Sequence, residues 1–287
     1  CPIFLLMPTR VAFLGPKGTF AEDAALALAK LEKLDAPVFL PCKGLRSVVD
    51  LLAKKLCEAA VVPIENSVEG GVTSTLDSLW REPQLSIRRA LVLPIQHALI
   101  SCGSMESISE VLSHPQALGQ CSEWLNSNLP DALQLTTNST AEAIKMVEGS
   151  TFRAAIGRKP TSSIEQTSLK ELKYPINDVA GNQTRFILLD NKKPNQLGDI
   201  ASIAFSLKSN TPGALLKALN CISNLGLNMS RIESRPSKRE LGEYVFFIDL
   251  DIGDNTKEIL TGLQKDLAVF CEHIVNFGSY PSSTKAK

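Results

Sequence analysis

The chain lacks an excess of charge of either sign and has few metal-binding side chains. Lys plus Arg and Asp plus Glu both number 30, giving a formal net charge of +0, whereas nucleic-acid-binding domains normally carry a basic excess. Only three His are present, and they lack the spacing of a zinc site. No apolar run reaches the roughly 18 residues that a membrane helix needs. These absences argue against a nucleic-acid-binding protein, a metal site and a membrane protein.

Paired cysteines and nucleotide-binding loops are missing as well. Seven Cys are scattered singly without a C-x-x-C pair, which favours a reduced interior where they serve as small buried apolar residues. The turn at 15–20, Gly-Pro-Lys-Gly-Thr-Phe, lacks the spacing of a P-loop, and there is no G-x-G-x-x-G. A nucleotide-binding function is therefore not expected. The predicted location is the cytoplasm, with a plastid as the alternative if a transit peptide has been removed.

Residues 11 to about 190 alternate between short apolar strands and amphipathic helices. This order is typical of an α/β fold with parallel sheets and helices on both faces. Polar connections suggest two lobes, approximately 10–85 plus 175–190 and 86–174, with a cleft between them. Ligands of such sheets bind outside the carboxyl ends of the strands. We therefore predict a two-lobed domain over residues 1–195 with its site in the cleft.

A polar linker at 191–199 separates this domain from a smaller unit at 200–283. Predicted strands and helices follow the order β-α-β-β-α-β, which is the ferredoxin-like arrangement. In the third strand, one face collects a row of large apolar side chains: Tyr244, Phe246, Ile248, Leu250 and Ile252. Gly226 fits the C′ position that ends the first helix. The pattern predicts an independent α+β domain.

Small or polar residues follow several predicted strands just where a helix begins. They occur at 15–20, 63–67, 70–75, 114–117 and 138–140. Free backbone N–H groups at helix N-termini attract anions, although helix capping uses the same Ser, Thr and Asn. The recurrence of this pattern in one α/β domain favours a shared site for a carboxylate-rich anion.

The segment 181–186, Gly-Asn-Gln-Thr-Arg-Phe, places two amides, a hydroxyl, a guanidinium and an aromatic ring directly before an apolar strand. Alternation along a strand puts Thr184 and Phe186 on one face and Arg185 on the other. A hydroxyl beside an aromatic ring suits a small, oxygen-rich substrate. The alternative is an ordinary edge strand with a surface Arg.

Four motifs in this order make the chain resemble the prephenate dehydratase family, which includes the arogenate dehydratases. They are G-P-K-G-T-F at 15–20, P-I-E-N-S-V-E-G at 63–70, H-P-Q-A-L at 114–118 and N-Q-T-R-F at 182–186. T-P-G-A-L at 211–215 and I-E-S-R-P at 232–236 are similar to that family's C-terminal ACT regulatory domain. The resemblance implies a periplasmic-binding-protein-like catalytic domain followed by an ACT domain. It also implies the monofunctional type, because 287 residues leave no room for the chorismate mutase domain that some members carry in front.

The family resemblance implies a carbon–oxygen lyase of phenylalanine biosynthesis that converts prephenate to phenylpyruvate, water and carbon dioxide without a cofactor. Such an enzyme holds two carboxylates, assists the departure of hydroxide and excludes water. Thr184 is the implied hydrogen-bond donor to the leaving hydroxyl, Phe186 would lie against the developing aromatic ring, and Glu65 is an alternative acid if its site is dry. The expected catalytic residues are Thr184, Phe186, Asn66, Ser67 and Glu65. The expected substrate-binding residues are Gly18, Thr19, Gly70, Gly71, Gln116, Asn182 and Arg185.

In the small unit, the resemblance implies phenylalanine binding between two copies, and hence feedback inhibition of a dimer or tetramer. The expected effector residues are Gly213, Ala214, Leu215, Glu233, Ser234, Arg235 and Pro236. Exposed sheet edges and an apolar face of a ferredoxin-like unit also favour pairing with a second copy. Two alternatives stay open: arogenate as the substrate, and a non-catalytic amino-acid-binding sensor with two lobes around a cleft.

Overall fold

The computed structural model describes residues 8–159, 168–195, 198–253 and 256–284, without the side chains of residues 256 and 257. The strands are β1 (Arg10–Leu14), β2 (Val38–Cys42), β3 (Ala59–Asn66), β4 (Gly70–Gly71), β5 (Ser86–Pro94), β6 (His97–Ser101), β7 (Glu110–Ser113), β8 (Leu133–Thr136), β9 (Arg153–Arg158), β10 (Lys170–Lys173), β11 (Gln183–Asp190), β12 (Ile200–Leu207), β13 (Asn228–Pro236), β14 (Tyr244–Asp251), β15 (Cys271–Tyr280) and β16 (Ser282–Thr284). The helices are α1 (Phe20–Leu31), α2 (Leu45–Ala53), α3 (Thr73–Arg81), α4 (Pro115–Gly119), α5 (Ser122–Asn128), α6 (Thr140–Met146), α7 (Ala214–Asn224) and α8 (Thr256–Phe270), with a 3₁₀ turn at Met105–Ser107.

The chain forms two compact units, which we call the first and the second unit. Among the described residues, the first comprises 8–14, 24–93 and 185–284, and the second comprises 15–23 and 94–184. These boundaries differ from the lobes expected at 10–85 plus 175–190 and 86–174, because β5 belongs to a sheet of the first unit. The division into a catalytic domain at 1–195 and a regulatory domain at 200–283 stays a prediction, as does the cleft.

A seven-stranded sheet and a four-stranded sheet dominate the first unit. The seven-stranded sheet has the order β16-β5-β11-β3-β1-β2, with β4 paired to β3. Strand β1 runs parallel to both β2 and β3. The last strand, β16, pairs in parallel with β5, so the C-terminal end of the described chain completes the edge of the sheet that contains the N-terminal strands.

The four-stranded sheet, which we call the C-terminal sheet, confirms the predicted ferredoxin-like unit. Its order is β13-β14-β12-β15, and the three pairings between neighbouring strands are antiparallel. Helix α7 ends where predicted: Gly226 has φ +68 and donates its N–H to the carbonyl of Ser223. Because few residues other than Gly adopt this conformation without strain, Gly226 fits the C′ position. The predicted α/β fold class is likewise confirmed.

Both faces of the C-terminal sheet are buried, which the sequence reading did not anticipate. One face packs on α7 and α8 in a core that includes Ile203, Phe205, Ile248 and Leu250. The opposite face carries Ala204, Val245, Phe247, Phe277 and Tyr280, which share one hydrophobic core with β3 and α2. The apolar face expected to pair with a second copy is therefore covered within this chain, and that argument for oligomers is wrong. The edge strands β13 and β15 remain as surfaces that favour pairing.

The second unit contains a five-stranded sheet of order β10-β6-β9-β7-β8. Strand β7 runs parallel to β8 and β9, but β6 runs antiparallel to β9 and to β10. The expectation of parallel sheets therefore holds for β7, β8 and β9, but not for the pairing of β6 with β9 and β10. Alternating strands and helices predict parallel pairing only for consecutive strands joined by long crossovers, and β6 and β10 were not among the predicted strands.

Several short elements differ from their predictions for local reasons. Residues 115–128 form two short helices, α4 and α5, which lie on either side of Gln120 and Cys121. Strands β4, β6, β10 and β16 were missed, and three of these have four residues or fewer. Strands of that length give no periodic pattern, so their pairing depends on tertiary contacts.

The described ranges contain no group of three or more His, Cys, Asp or Glu side chains placed to hold a metal ion. None of the helices in the same part of the chain is long and apolar enough to cross a membrane. The six cysteines in the described ranges are free thiols, and five of these are buried, as expected for small core residues. Burial raises the pKa of Cys57 to about 11, which keeps that thiol protonated and unreactive at neutral pH.

Candidate functional site

The segment 182–186 leads into a buried strand. Thr184 and Phe186 in β11 are 8% and 4% exposed, and Asn182 just before the strand is 2% exposed. Gln183 between them is exposed, while Arg185 is half-buried. The burial pattern therefore follows the alternation expected of a strand and rules out a mainly solvent-exposed edge for this motif.

In the second unit, Asn182 belongs to a buried network of neutral side chains. Its Nδ2 donates to Oε1 of Gln120 over 2.9 Å, and the same oxygen lies 3.2 Å from Nε2 of His97. Phe20 packs its ring edge-on against the His97 ring, with centroids 5.7 Å apart. Burial lowers the pKa of His97, so the imidazole is neutral near pH 7. Because Gln120 Oε1 can only accept, the contact requires the proton of His97 on Nε2.

The turn at 15–19, also in the second unit, forms the start of α1. The Thr19 hydroxyl accepts the N–H of Glu22 over 3.4 Å, and the Glu22 carboxylate accepts the N–H of Gly18 over 2.6 Å. These contacts are a helix cap of the kind that Thr and Glu commonly form. Gly18 has φ +87, and a Cβ there would lie 3.6 Å from that of Ala141, so the backbone conformation favours glycine at this position. Gln116 is an exposed residue of α4, whose first turn is capped by the ring of His114.

In the first unit, residues 65–71 form a tight β-hairpin between β3 and β4. The Asn66 side-chain oxygen accepts the N–H groups of Val68 and Glu69 over 2.9 and 3.1 Å, and Asn66 is 7% exposed. Asn66 thus has a structural role in the turn. Ser67 and Gly70 are exposed at the tip of the hairpin, and Gly71 pairs with Glu65.

Arg185 lies in a buried ion cluster rather than on the surface. Its Nη2 is 2.9 Å from Glu65 Oε2 and 2.5 Å from Asp249 Oδ2. Asp249, on β14, is fully buried and also accepts from Nε of Arg231 over 2.8 Å and from the Ser202 hydroxyl over 2.6 Å. The side chain of Glu65 is 37% exposed. Both Arg185 and Glu65 therefore make strong contacts within the protein.

The part of the first unit that contains the C-terminal sheet, α7 and α8 is called the C-terminal unit. The residues expected to bind an effector lie at two places on it. Gly213, with φ +82, precedes α7, and no atom of the described residues outside its immediate chain neighbours lies within 4 Å of the position that a Cβ would take. The other group lies on β13. There, the Glu233 carboxylate occupies the space beside Gly71, because a Cβ added at Gly71 would lie 1.7 Å from Glu233 Oε2. Arg235 is paired with Asp77 of α3, with 3.0 Å between Arg235 Nε and Asp77 Oδ1. Ala214 and Leu215 are half-buried in α7, whereas Ser234 and Pro236 are exposed on β13.

Sequence reasoning missed the residues that hold the motif side chains in place, namely Asp249, Arg231, Gln120 and His97. One signal was available for Asp249: it is the single charged residue in the apolar run at 245–250, and charged side chains are rarely fully buried unless they are paired. Gln120, between α4 and α5, and His97, at the start of β6, carry no such signal, because polar residues at such positions usually face solvent.

Known proteins resemble this chain over nearly its full length. The family model described as prephenate dehydratase matches residues 11–194. A prephenate dehydratase of Methanocaldococcus jannaschii is 37% identical over 96% of this chain and 99% of its own length. A bifunctional chorismate mutase/prephenate dehydratase of Aquifex aeolicus is 35% identical over 96% of this chain and 74% of its own. The solved prephenate dehydratase of Arthrobacter aurescens in complex with L-Phe superposes with a TM-score of 0.84 at 33% identity, over 95% of this chain and 90% of that one.

Proposed function

From the premise that the chain belongs to the prephenate dehydratase family, we propose that it is a lyase converting prephenate to phenylpyruvate, water and carbon dioxide. The observation that carries this proposal is the motif at 182–186, which lies within the matched region and buries Thr184 and Phe186 on one strand. The reaction breaks the bond between the ring and its carboxylate, and those electrons make the ring aromatic as hydroxide leaves. No redox partner is needed.

Thr184 is the donor that we assign to the leaving hydroxyl. A neutral hydroxyl is a weak acid, so Thr184 stabilises the negative charge that develops on the departing oxygen by a hydrogen bond rather than by full proton transfer. Burial strengthens such a bond because water does not compete with it. Phe186 offers a flat apolar surface that suits the ring as it becomes aromatic.

The two carboxylates of prephenate need hydrogen-bond donors, and neutral ones suffice. We assign this role to Gln116, whose side chain is exposed on α4. Thr19 and Asn182 are less suited, because the Thr19 hydroxyl donates to the Pro16 carbonyl over 3.1 Å and the Asn182 amide donates to Gln120. Arg185 is less suited, because its guanidinium is engaged by Glu65 and Asp249. Glu65 would act as an acid only in a dry site, and its side chain is 37% exposed.

Phenylalanine inhibits this enzyme through the C-terminal unit, in our proposal at a site between two copies. The support is the L-Phe complex of the Arthrobacter aurescens relative, together with the open backbone at Gly213. Strand β13 lies at the edge of its sheet, and its neighbourhood exposes Met229, Ile232 and Tyr244. Unpaired edge strands readily pair with another chain, so we propose a dimer or tetramer. We propose the cytoplasm as its location.

Assays with prephenate and arogenate, run side by side on the purified full chain, test this function. We expect phenylpyruvate from prephenate, with a kcat/KM at least tenfold above that for arogenate, and inhibition of this turnover by phenylalanine. Faster turnover of arogenate would make phenylalanine the direct product and overturn the substrate assignment. Binding of both acids without any turnover would favour an amino-acid-binding sensor.

A further inference from the structure

A buried ion cluster joins the C-terminal sheet to the sheet that carries the 182–186 motif. We call it the Asp249 cluster, and it consists of Asp249, Arg231, Arg185, Glu65 and Ser202. Asp249, Arg231 and Ser202 come from three adjacent strands of the C-terminal sheet, whereas Arg185 and Glu65 come from the neighbouring strands β11 and β3 of the other sheet. Arg185 therefore bridges carboxylates of the two sheets.

Asp249 is the centre of this cluster. One of its oxygens, Oδ2, accepts from both Arg185 Nη2 and Arg231 Nε, at 2.5 and 2.8 Å. Burial alone would raise the pKa of Asp249, but the charges of Arg231 and Arg185 outweigh it and lower the pKa to about 2. The two guanidinium groups repel each other, so the shared carboxylate is what allows them to lie side by side.

The Asp249 cluster leaves some of its hydrogen-bonding groups unused. Within the described part of the chain, Arg185 Nε and Arg231 Nη1 are buried without a hydrogen-bond partner. Glu233 Oε2 lies 3.7 Å from that Arg231 atom, beyond hydrogen-bond distance but within reach of a small side-chain movement. Arg231 holds Asp249 through Nε and Nη2, over 2.8 and 3.3 Å, and this leaves Nη1 as the nitrogen available to Glu233.

We propose that Asp249 is a positioning residue that transmits the state of β13 to the catalytic strand β11. This inference rests on the proposed function, in which phenylalanine acts at the segment containing Glu233. When Glu233 draws Arg231 towards itself, Asp249 is left to Arg185 alone, and Arg185 changes its balance between Asp249 and Glu65. Because Arg185 follows Thr184 directly in β11, this exchange alters the position of the proposed donor.

The test is the coupling between phenylalanine and prephenate in the full chain carrying Asp249→Asn. Coupling is measured as the ratio of the inhibition midpoints for phenylalanine at saturating and at low prephenate. Typical coupling factors are about 5–150-fold, and we expect the ratio in the variant to fall below about twofold, with a changed KM. A purely structural role would reduce the active fraction, and hence kcat, without moving KM or the coupling ratio.

Asp190→Asn is the matched control. Asp190 is a 6% exposed carboxylate on the same strand as Arg185 and is paired with Arg88 over 2.6 Å. The control also breaks a buried ion pair, but outside the Asp249 cluster, so its coupling ratio should equal that of the wild type. If Asp249→Asn does not fold, Tyr280→Phe removes only the hydroxyl that lies 2.5 Å from Ser202 Oγ, and we expect an intermediate ratio.

The outcomes separate the two proposals. If the wild-type enzyme turns over prephenate but ignores phenylalanine, the proposed regulation fails and this inference falls with it. If the wild type responds, and Asp249→Asn or Tyr280→Phe keeps the ratio of the Asp190→Asn control, only the inference is overturned. Loss of coupling in Asp249→Asn, or partial loss in Tyr280→Phe, together with the wild-type ratio in Asp190→Asn, supports it.

Discussion

The two faces of the C-terminal sheet bury different chemistry on the same strands. On β14, Ile248 and Leu250 face the helices in a core of aliphatic and aromatic side chains. Between and beside them, Phe247 and Asp249 point to the opposite face, where an apolar core surrounds a buried ion cluster. An apolar contact tolerates small shifts because it has no preferred direction, whereas a shared carboxylate fixes particular atoms. The first face thus supplies stability, and the second also supplies a specific connection.

We call the face of the C-terminal sheet that carries the Asp249 cluster the mixed face. The largest effect on stability is expected when this face loses its central charge. Asp249→Ala leaves two buried guanidinium groups without their shared partner, and breaking a buried ion pair typically costs about 3–5 kcal/mol. Denaturant unfolding should report this loss. Asp251→Ala, which removes an exposed carboxylate from the same strand, should change the free energy of unfolding by no more than about 0.5 kcal/mol. Equal effects of the two variants would mean that the Asp249 cluster contributes nothing specific.

The adjacent residue on the helix-covered face provides the sharpest comparison. Leu250→Ala creates a cavity in the apolar core and should cost about 2–5 kcal/mol. Because the Leu250 side chain lies on the opposite face of β14 from that of Asp249, phenylalanine should inhibit the folded variant as it inhibits the wild type. Inhibition curves of stability-matched samples check this. A loss of inhibition in Leu250→Ala would remove the distinction between the two faces.

Acid should weaken the mixed face in a defined pH range. The pKa of Asp249 is lowered in the folded chain to about 2 from its ordinary value of 3.8. Its contribution to stability is therefore present above about pH 4 and is lost as the pH falls towards 2. Unfolding free energies at pH 5, 4 and 3 should fall more steeply for the wild type than for Asp249→Asn, which has no proton to gain. Parallel curves would contradict this assignment.

The smallest effect on stability and inhibition is expected at Gly71 on β4, which lies beside Glu233 on β13 of the C-terminal sheet. A Cβ at this position would lie 1.7 Å from Glu233 Oε2, so Gly71→Ala must displace that carboxylate. Because the displaced atoms are the end of a flexible side chain, we expect a stability change within about 1 kcal/mol and a shift of a few-fold in the phenylalanine midpoint. Gly44→Ala is the control, because no atom of the described residues outside its immediate chain neighbours lies within 4 Å of the position that a Cβ would take there. An unchanged midpoint in Gly71→Ala would detach Glu233 from regulation.

The sequence predicted the elements that carry periodic patterns and missed those set by tertiary contacts. Strand β12 and the β-α-β-β-α-β order follow from alternation and from the glycine that ends α7. Alternation also predicted that Phe246, Ile248 and Leu250 share a face. It could not show that the other face of β14 is buried too, because Val245, Phe247 and Asp249 read equally well as a partly exposed face.

The candidate functional site was likewise predicted only in part. The motif at 182–186 was visible as a concentration of functional groups, and its burial pattern followed from strand alternation. The partners of its side chains were not visible, because Gln120, Asp249 and Arg231 are distant in sequence and reach the motif only through folding. Arg185 shows the consequence: the sequence assigned it to substrate, and the structure engages it with two carboxylates.

The most direct test of the account is the kcat for prephenate of Thr184→Ala and Thr184→Ser. Removing a hydrogen-bond donor to a charge that develops in the transition state typically lowers kcat by about 10²–10³-fold, so we expect such a loss in the Ala variant and most of the activity in the Ser variant. Thr75→Ala, which deletes another buried hydroxyl, bonded to the Pro63 carbonyl over 2.7 Å, should keep a near-normal kcat once folded. A near-normal kcat for Thr184→Ala would contradict the assignment of Thr184 as the donor.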